Sequence, residues 1–171
     1  EIVEFSQDEA RQCAEEIRKR GVGITAISTK KNPADWKRLV DVAMAVDAPV
    51  IIVPIAAYTD ALARYAEKKG ILLRVENQKE SSTECLELFA RLRGTKVSLA
   101  FNPAQFAAIG EMPFRRIYSK TALKRVLTQL YLEDRTFAGV PTLLARGNAE
   151  SKEMVSILRC ASFDGPITIK D

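Results

Sequence analysis

Short apolar runs alternate along the chain with stretches whose apolar residues recur every three or four positions. The first pattern is that of a buried strand and the second that of an amphipathic helix. Glu1 to Phe5 reads as the end of a strand. Ser6 and Glu9 then form a capping box, Ala10, Cys13, Ala14 and Ile17 fall on one helical face, and Gly21 ends the turn. Val22 to Ile27 is the next strand. Asn32 caps a helix with Pro33 at its first position and a stripe of Trp36, Leu39, Val40, Ala43 and Met44. Val50 to Val53 is continuously apolar, as a strand covered on both faces must be. A helix over Thr59 to Lys69 (Leu62, Ala63 and Ala66 inward) precedes a strand over Ile71 to Val75. Ser81 with Glu84 opens a helix to Arg93 that buries Cys85, Leu86, Phe89 and Leu92. Val97 to Phe101 is a strand and a helix follows Pro113. Val126 to Leu132, Asn148 to Arg159 and Pro166 to Ile169 complete the series as strand, helix and strand.

Seven strand candidates alternating with helices predict an α/β fold with a parallel sheet. A doubly wound open sheet normally carries a Gly-rich phosphate loop after its first strand, and none is present. A (β/α) barrel instead places chemistry on polar residues at several strand ends. The chain offers Ser28, Lys30, Tyr58, Glu76, Asn77, Asn102, Gln105, Tyr131, Glu133, Asp134 and Lys170 at such positions. The expectation is a single TIM-type barrel domain over residues 1–171. A full barrel takes about 250 residues, so the first βα unit is expected to be lacking. An incomplete barrel exposes strand edges, which a second copy of the chain could cover as a homo-oligomer.

Composition removes several classes of function. With 47% hydrophobic and 28% charged residues the chain is ordinary for a globular protein. No apolar run approaches the roughly 20 residues of a membrane span, so no membrane association is expected. The net charge of +4 comes from lysines and arginines spread along the chain, which argues against a nucleic-acid partner. Three isolated cysteines read as buried small apolar residues. Histidine, the commonest metal ligand and neutral-pH base, is absent. No leader is legible at Glu1, which leaves the cytoplasm as the default location.

Four segments carry a family likeness. Arg74-Val75-Glu76-Asn77, Ala100-Phe101-Asn102-Pro103-Ala104-Gln105-Phe106, Leu130-Tyr131-Leu132-Glu133-Asp134-Arg135 and Phe163-Asp164-Gly165-Pro166-Ile167-Thr168-Ile169-Lys170 resemble strand ends of the sugar-phosphate isomerase/epimerase family, the xylose-isomerase-like barrels. The resemblance runs from that family's second strand to its eighth. It implies a divalent cation held by a carboxylate, an Asp, a His and a Glu, with two glutamates moving a proton on the sugar. Glu76 matches the first position. Asn102 replaces the Asp, Tyr131 the His and Lys170 the second Glu, while Gln78 stands where many relatives carry a histidine. Three of four ligand positions are therefore changed, and neither a metal site nor a metal cofactor is expected.

Lys170 is expected to stand in for the cation and to pair with Glu76. These two residues form the candidate catalytic pair. Lys30, Asn77, Asn102, Gln105, Tyr131, Glu133 and Arg135 are the candidate contacts to a small carbohydrate. Each has a plainer reading: Glu76 could pair with Arg74, Asn102 could cap a helix, Tyr131 could be a packed aromatic, and Glu133 to Arg135 could be a solvated strand end. The functional expectation is a sugar or sugar-phosphate isomerase/epimerase-like protein with a degenerate metal site, set against a non-catalytic carbohydrate-binding or structural barrel. A zinc nuclease of the same fold group would need several histidines.

Overall fold

The computed structural model describes residues 6–30 and 35–170. The chain divides into two compact units, residues 1–75 and 76–171.

In the first unit, helix α1 (Gln7–Lys19) starts at the expected box. The Ser6 amide donates to Glu9 Oε2 at 2.7 Å, and the Glu9 amide donates to Ser6 Oγ at 3.2 Å. Strand β1 (Ile27–Ser28) is parallel to β2 (Val50–Pro54), with Ile27 opposite Ile51. The strand expected over Val22 to Ile27 is thus shorter and later. Val22 is 56% exposed, so it has no burial to hold it in a ladder. Helix α2 (Trp36–Ala45) is capped by Asp35, whose carboxylate accepts the Arg38 amide at 3.1 Å. The expected cap Asn32 and Pro33 lie outside the described residues, as does the expected strand Glu1 to Phe5. Leu39, Val40, Val42 and Ala43 form the buried stripe of α2, whereas Met44 is exposed. All five residues of β2 are buried, as a strand covered on both faces requires. Thr59 caps α3 (Asp60–Lys68), which buries Leu62 and Ala66, and β3 (Leu72–Glu76) lies beside β2. The last residue of β3, Glu76, begins the second unit.

In the second unit, α4 (Ser82–Arg91) carries the predicted Ser81–Glu84 box and buries Cys85, Leu88 and Phe89. Strands β4 (Ser98–Phe101) and β5 (Leu127–Leu132) are parallel, and β5 is parallel to β8 (Ile167–Ile169) with Tyr131 opposite Thr168. Between β4 and β5 come α5 (Pro103–Ala108), a π-helical turn at Pro113–Tyr118 and a 3-10 turn at Ala122–Arg125. The helix expected after Pro113 is therefore a single wide turn, and α5 is an addition. Two-residue strands β6 (Asp134–Arg135) and β7 (Pro141–Thr142) form an antiparallel hairpin that the pattern did not indicate. Helix α6 (Ser151–Cys160) starts three residues after the expected Asn148. Asn148 instead ties the hairpin, its amide donating to the Arg135 carbonyl at 2.7 Å and its side chain accepting the Phe137 amide at 3.0 Å.

Among the described residues six of the seven expected strands are present, three in each unit. Tyr131, Phe101, Phe106, Leu99, Leu130 and Met154 fill the core of the second unit, with the two phenylalanine rings 5.2 Å apart. Of the three cysteines, Cys85 alone is buried; Cys13 is half-buried and Cys160 exposed, which corrects the expectation for the latter two. No helix among the described residues is long and apolar enough to cross a membrane.

Candidate functional site

Strand ends of the second unit bring four predicted residues into one buried polar cluster. Glu76 ends β3, Asn102 follows β4, Tyr131 is the fifth residue of β5, and Lys170 follows β8. The expected ion pair is formed: Lys170 Nζ lies 2.5 Å from Glu76 Oε1. The same ammonium sits 3.9 Å from the centroid of the Tyr131 ring, on the electron-rich face that attracts cations. Register explains the meeting. The Lys170 amide donates to the Leu132 carbonyl at 3.0 Å, which continues the β5–β8 ladder and sets the side chain beside Tyr131. One layer below, Gln129 Nε2 donates to Thr168 Oγ1 at 3.0 Å.

Asn102 supplies the second donor to Glu76, Nδ2 to Oε1 at 3.0 Å. It stands at the N-cap of α5, but its side chain caps nothing there and serves the carboxylate instead. Its backbone is held from both sides by one side chain. Asn77 Nδ2 donates to the Asn102 carbonyl and the Asn102 amide donates to Asn77 Oδ1, each at 2.8 Å. Asn77 and Asn102 are fully buried, Tyr131 is 2% exposed and Glu76 3% exposed. Only the Lys170 side chain, 21% exposed, gives this cluster a wet edge. Within it one atom stands apart: Asn102 Oδ1 is buried and has no hydrogen-bond donor.

The donor set fits a lysine and not a divalent ion. Hard divalent cations need several oxygen ligands with anionic charge among them. Here the Glu76 Oε1 already receives two donors, the facing amide presents nitrogen, and an ammonium occupies the approach. Among the described residues no three acidic or cysteine side chains gather elsewhere as a metal cluster.

A second group gathers the other predicted residues of this unit. Gln105 Nε2 donates to Glu133 Oε1 at 3.0 Å, and Arg135 Nε lies 3.4 Å from the same oxygen. Glu133 and Arg135 are partly buried rather than a solvated end. Lys30 follows β1 in the first unit at an exposed position.

Asp134 carries a role that the sequence did not disclose. It is 4% exposed, and its carboxylate accepts the amides of Arg135 (2.9 Å), Gly147 (3.1 Å) and Ala149 (2.9 Å). These bonds fold the segment between β6 and α6 onto the strand end. Gly147 fits because a Cβ there would press on Asp134 Oδ1 and lie 2.6 Å from the Arg135 carbonyl oxygen and Thr142 Oγ1. A turn glycine followed by Asn148, closing a loop on an aspartate, was the available signal.

No protein-family model and no curated protein matches the chain. Solved structures do. A xylose isomerase domain protein from Planctomyces limnophilus superposes with a TM-score of 0.81 at 16% identity, over 97% of this chain and 75% of that one. An uncharacterized protein from Parabacteroides distasonis gives a TM-score of 0.66 at 20% identity, over 98% and 70%. The TTHB071 protein from Thermus thermophilus, in crystals soaked with ZnCl2, gives 0.67 at 15% identity, over 94% and 77%. The chain has a xylose-isomerase-like fold.

Proposed function

We propose that this chain is a sugar or sugar-phosphate isomerase/epimerase-like protein whose metal site is degenerate and whose strand-end cluster faces a small carbohydrate. One observation carries the reading. A buried glutamate at the end of β3, the place where sugar-acting barrels concentrate their chemistry, is neutralised by Lys170 at 2.5 Å. If the protein is an enzyme, Glu76 and Lys170 are the pair that would handle the proton and the developing charge at a sugar carbonyl. An ammonium can stabilise an oxyanion by a charge-assisted hydrogen bond, so this chemistry asks for no inorganic cofactor. Gln105, Glu133 and Arg135 supply donors and acceptors of the kind that select among sugar hydroxyls.

The second reading, a non-catalytic carbohydrate-binding or structural barrel, is favoured by the occupancy of Glu76 Oε1. With Lys170 and Asn102 both donating to that oxygen, its lone pairs are already engaged and a substrate proton must compete for them. A thermal-shift and NMR screen of metal-free protein against sugars and sugar phosphates tests the proposal, because ligand binding raises apparent stability by mass action. A carbohydrate that raises the Tm of the wild type and leaves Glu76→Gln unchanged supports a ligand site at this cluster. Interconversion of that carbohydrate in the NMR tube identifies an enzyme. Uniform failure of both chemical classes to shift the Tm would retire the carbohydrate reading.

A further inference from the structure

We infer that Lys170 is a built-in competitor for a cation: its ammonium fills a position that would otherwise open to a divalent ion between Glu76 and Asn102. The inference rests on the reading of these strand ends as a degenerate metal site, and it adds what keeps the site closed.

Three observations support it. The Lys170 Nζ lies against Glu76 Oε1, the one oxygen of that carboxylate that also faces Asn102. A cation approaching this oxygen meets a like charge at contact distance. Second, the Tyr131 ring under the ammonium, 3.9 Å from its centroid, stabilises the charge in place without supplying an anionic oxygen. The aromatic face thus holds a lysine well and a doubly charged ion poorly. Third, the Asn102 amide oxygen is buried and unsatisfied, a condition rare enough in folded proteins to ask for a reason. Rotation of that amide would bring Oδ1 to the Glu76 side. With the lysine present the rotation forfeits the 3.0 Å bond from Nδ2 and sets two oxygens together. Once a cation replaces the lysine, the same rotation gives the ion two oxygen ligands, one from Glu76 and one from Asn102. Asn77 fixes the Asn102 backbone through both its amide and its carbonyl, so the change needs side-chain motion only.

Mn2+ binding to the full chain, followed by paramagnetic resonance and by thermal shift, tests the inference. Wild type is expected to bind no Mn2+ with a dependence on Glu76. Lys170→Glu, which removes the competitor and adds a carboxylate, is expected to bind one Mn2+ at least about a hundredfold more tightly than wild type. That follows from reversing a unit charge close to a divalent ion. Adding Glu76→Gln should abolish the gain. Lys170→Met, which keeps an unbranched apolar stem over Tyr131, covers the case in which the acidic variant does not fold, with an expected gain of about tenfold. Stoichiometric Mn2+ in wild type that Glu76→Gln removes would overturn the inference. A folded Lys170→Glu or Lys170→Met chain with no more Mn2+ than wild type would also overturn it. Since this readout involves no carbohydrate, its failure is distinct from failure of the sugar screen.

Discussion

Replacing Lys170 by methionine keeps most of the apolar stem and deletes the charge that neutralises Glu76. Glu76 is 3% exposed, and the variant leaves its carboxylate with the Asn102 amide as its hydrogen-bond donor in the cluster. Breaking a buried ion pair from one side typically costs about 3–5 kcal/mol, because the remaining charge is stranded. The Lys170 side chain is 21% exposed, so water can reach part of the vacated space, which places the expected loss near the lower bound, about 3 kcal/mol. Glu76→Gln strands the ammonium instead. That charge still lies on the Tyr131 ring and touches solvent, so about 1–2 kcal/mol is expected. The double variant has no stranded charge and should lie within about 1 kcal/mol of wild type. The cycle therefore predicts a coupling of about 3–5 kcal/mol between the two positions. Urea unfolding of the four proteins, read by far-ultraviolet circular dichroism, measures it. Strictly additive losses, with a coupling below about 0.5 kcal/mol, would refute the claim that the two charges neutralise each other.

Asp134→Ala removes the acceptor of three amide donors and should destabilise the protein by about 3 kcal/mol. The Gly147 and Ala149 amides should then exchange with solvent much faster, and unchanged exchange would contradict the loop-organising role. Cys85 is buried, and burial first, then the charges of Glu80, Glu111 and Glu84, pushes its thiol pKa up to about 12. Because the folded pKa exceeds the roughly 8.5 of a free thiol, the stability from a neutral thiol is full below about pH 8.5 and declines as the pH rises toward 12. Iodoacetamide at pH 8 should label the exposed Cys160 and leave Cys85 untouched until the chain is unfolded; equal labelling of the two would count against the packing of α4.

Local chemistry made much of the architecture legible. Both capping boxes depend on side chains three residues apart, and Ser6–Glu9 and Ser81–Glu84 form as written. The continuous run at β2 announces burial on both faces. The pairing of Glu76 with Lys170 was legible only through the resemblance to the xylose-isomerase-like barrels, which sets both residues at ligand positions on strand ends. Other elements lack a local signature. Helix α5 has six residues, too few for a 3.6-residue period to stand out, and the two-residue strands of the hairpin have no alternation to read. The Asp134 site is made of backbone amides up to 15 residues away, which no side-chain pattern reports. Asn102 before Pro103 looked more like a cap than a site residue, because only the rotamer in the fold decides which amide or carboxylate it serves.

The paired bonds between Asn77 and Asn102 also matter for engineering. A carboxamide that engages both the amide and the carbonyl of another residue imitates a peptide unit, adding one rung made by a side chain where a strand has run out. The rung sets the Asn102 main chain without drawing on any charge. A designer can therefore change the electrostatics at position 170 while the Asn102 main chain stays in place, so new chemistry could be installed by editing one side chain and not the scaffold.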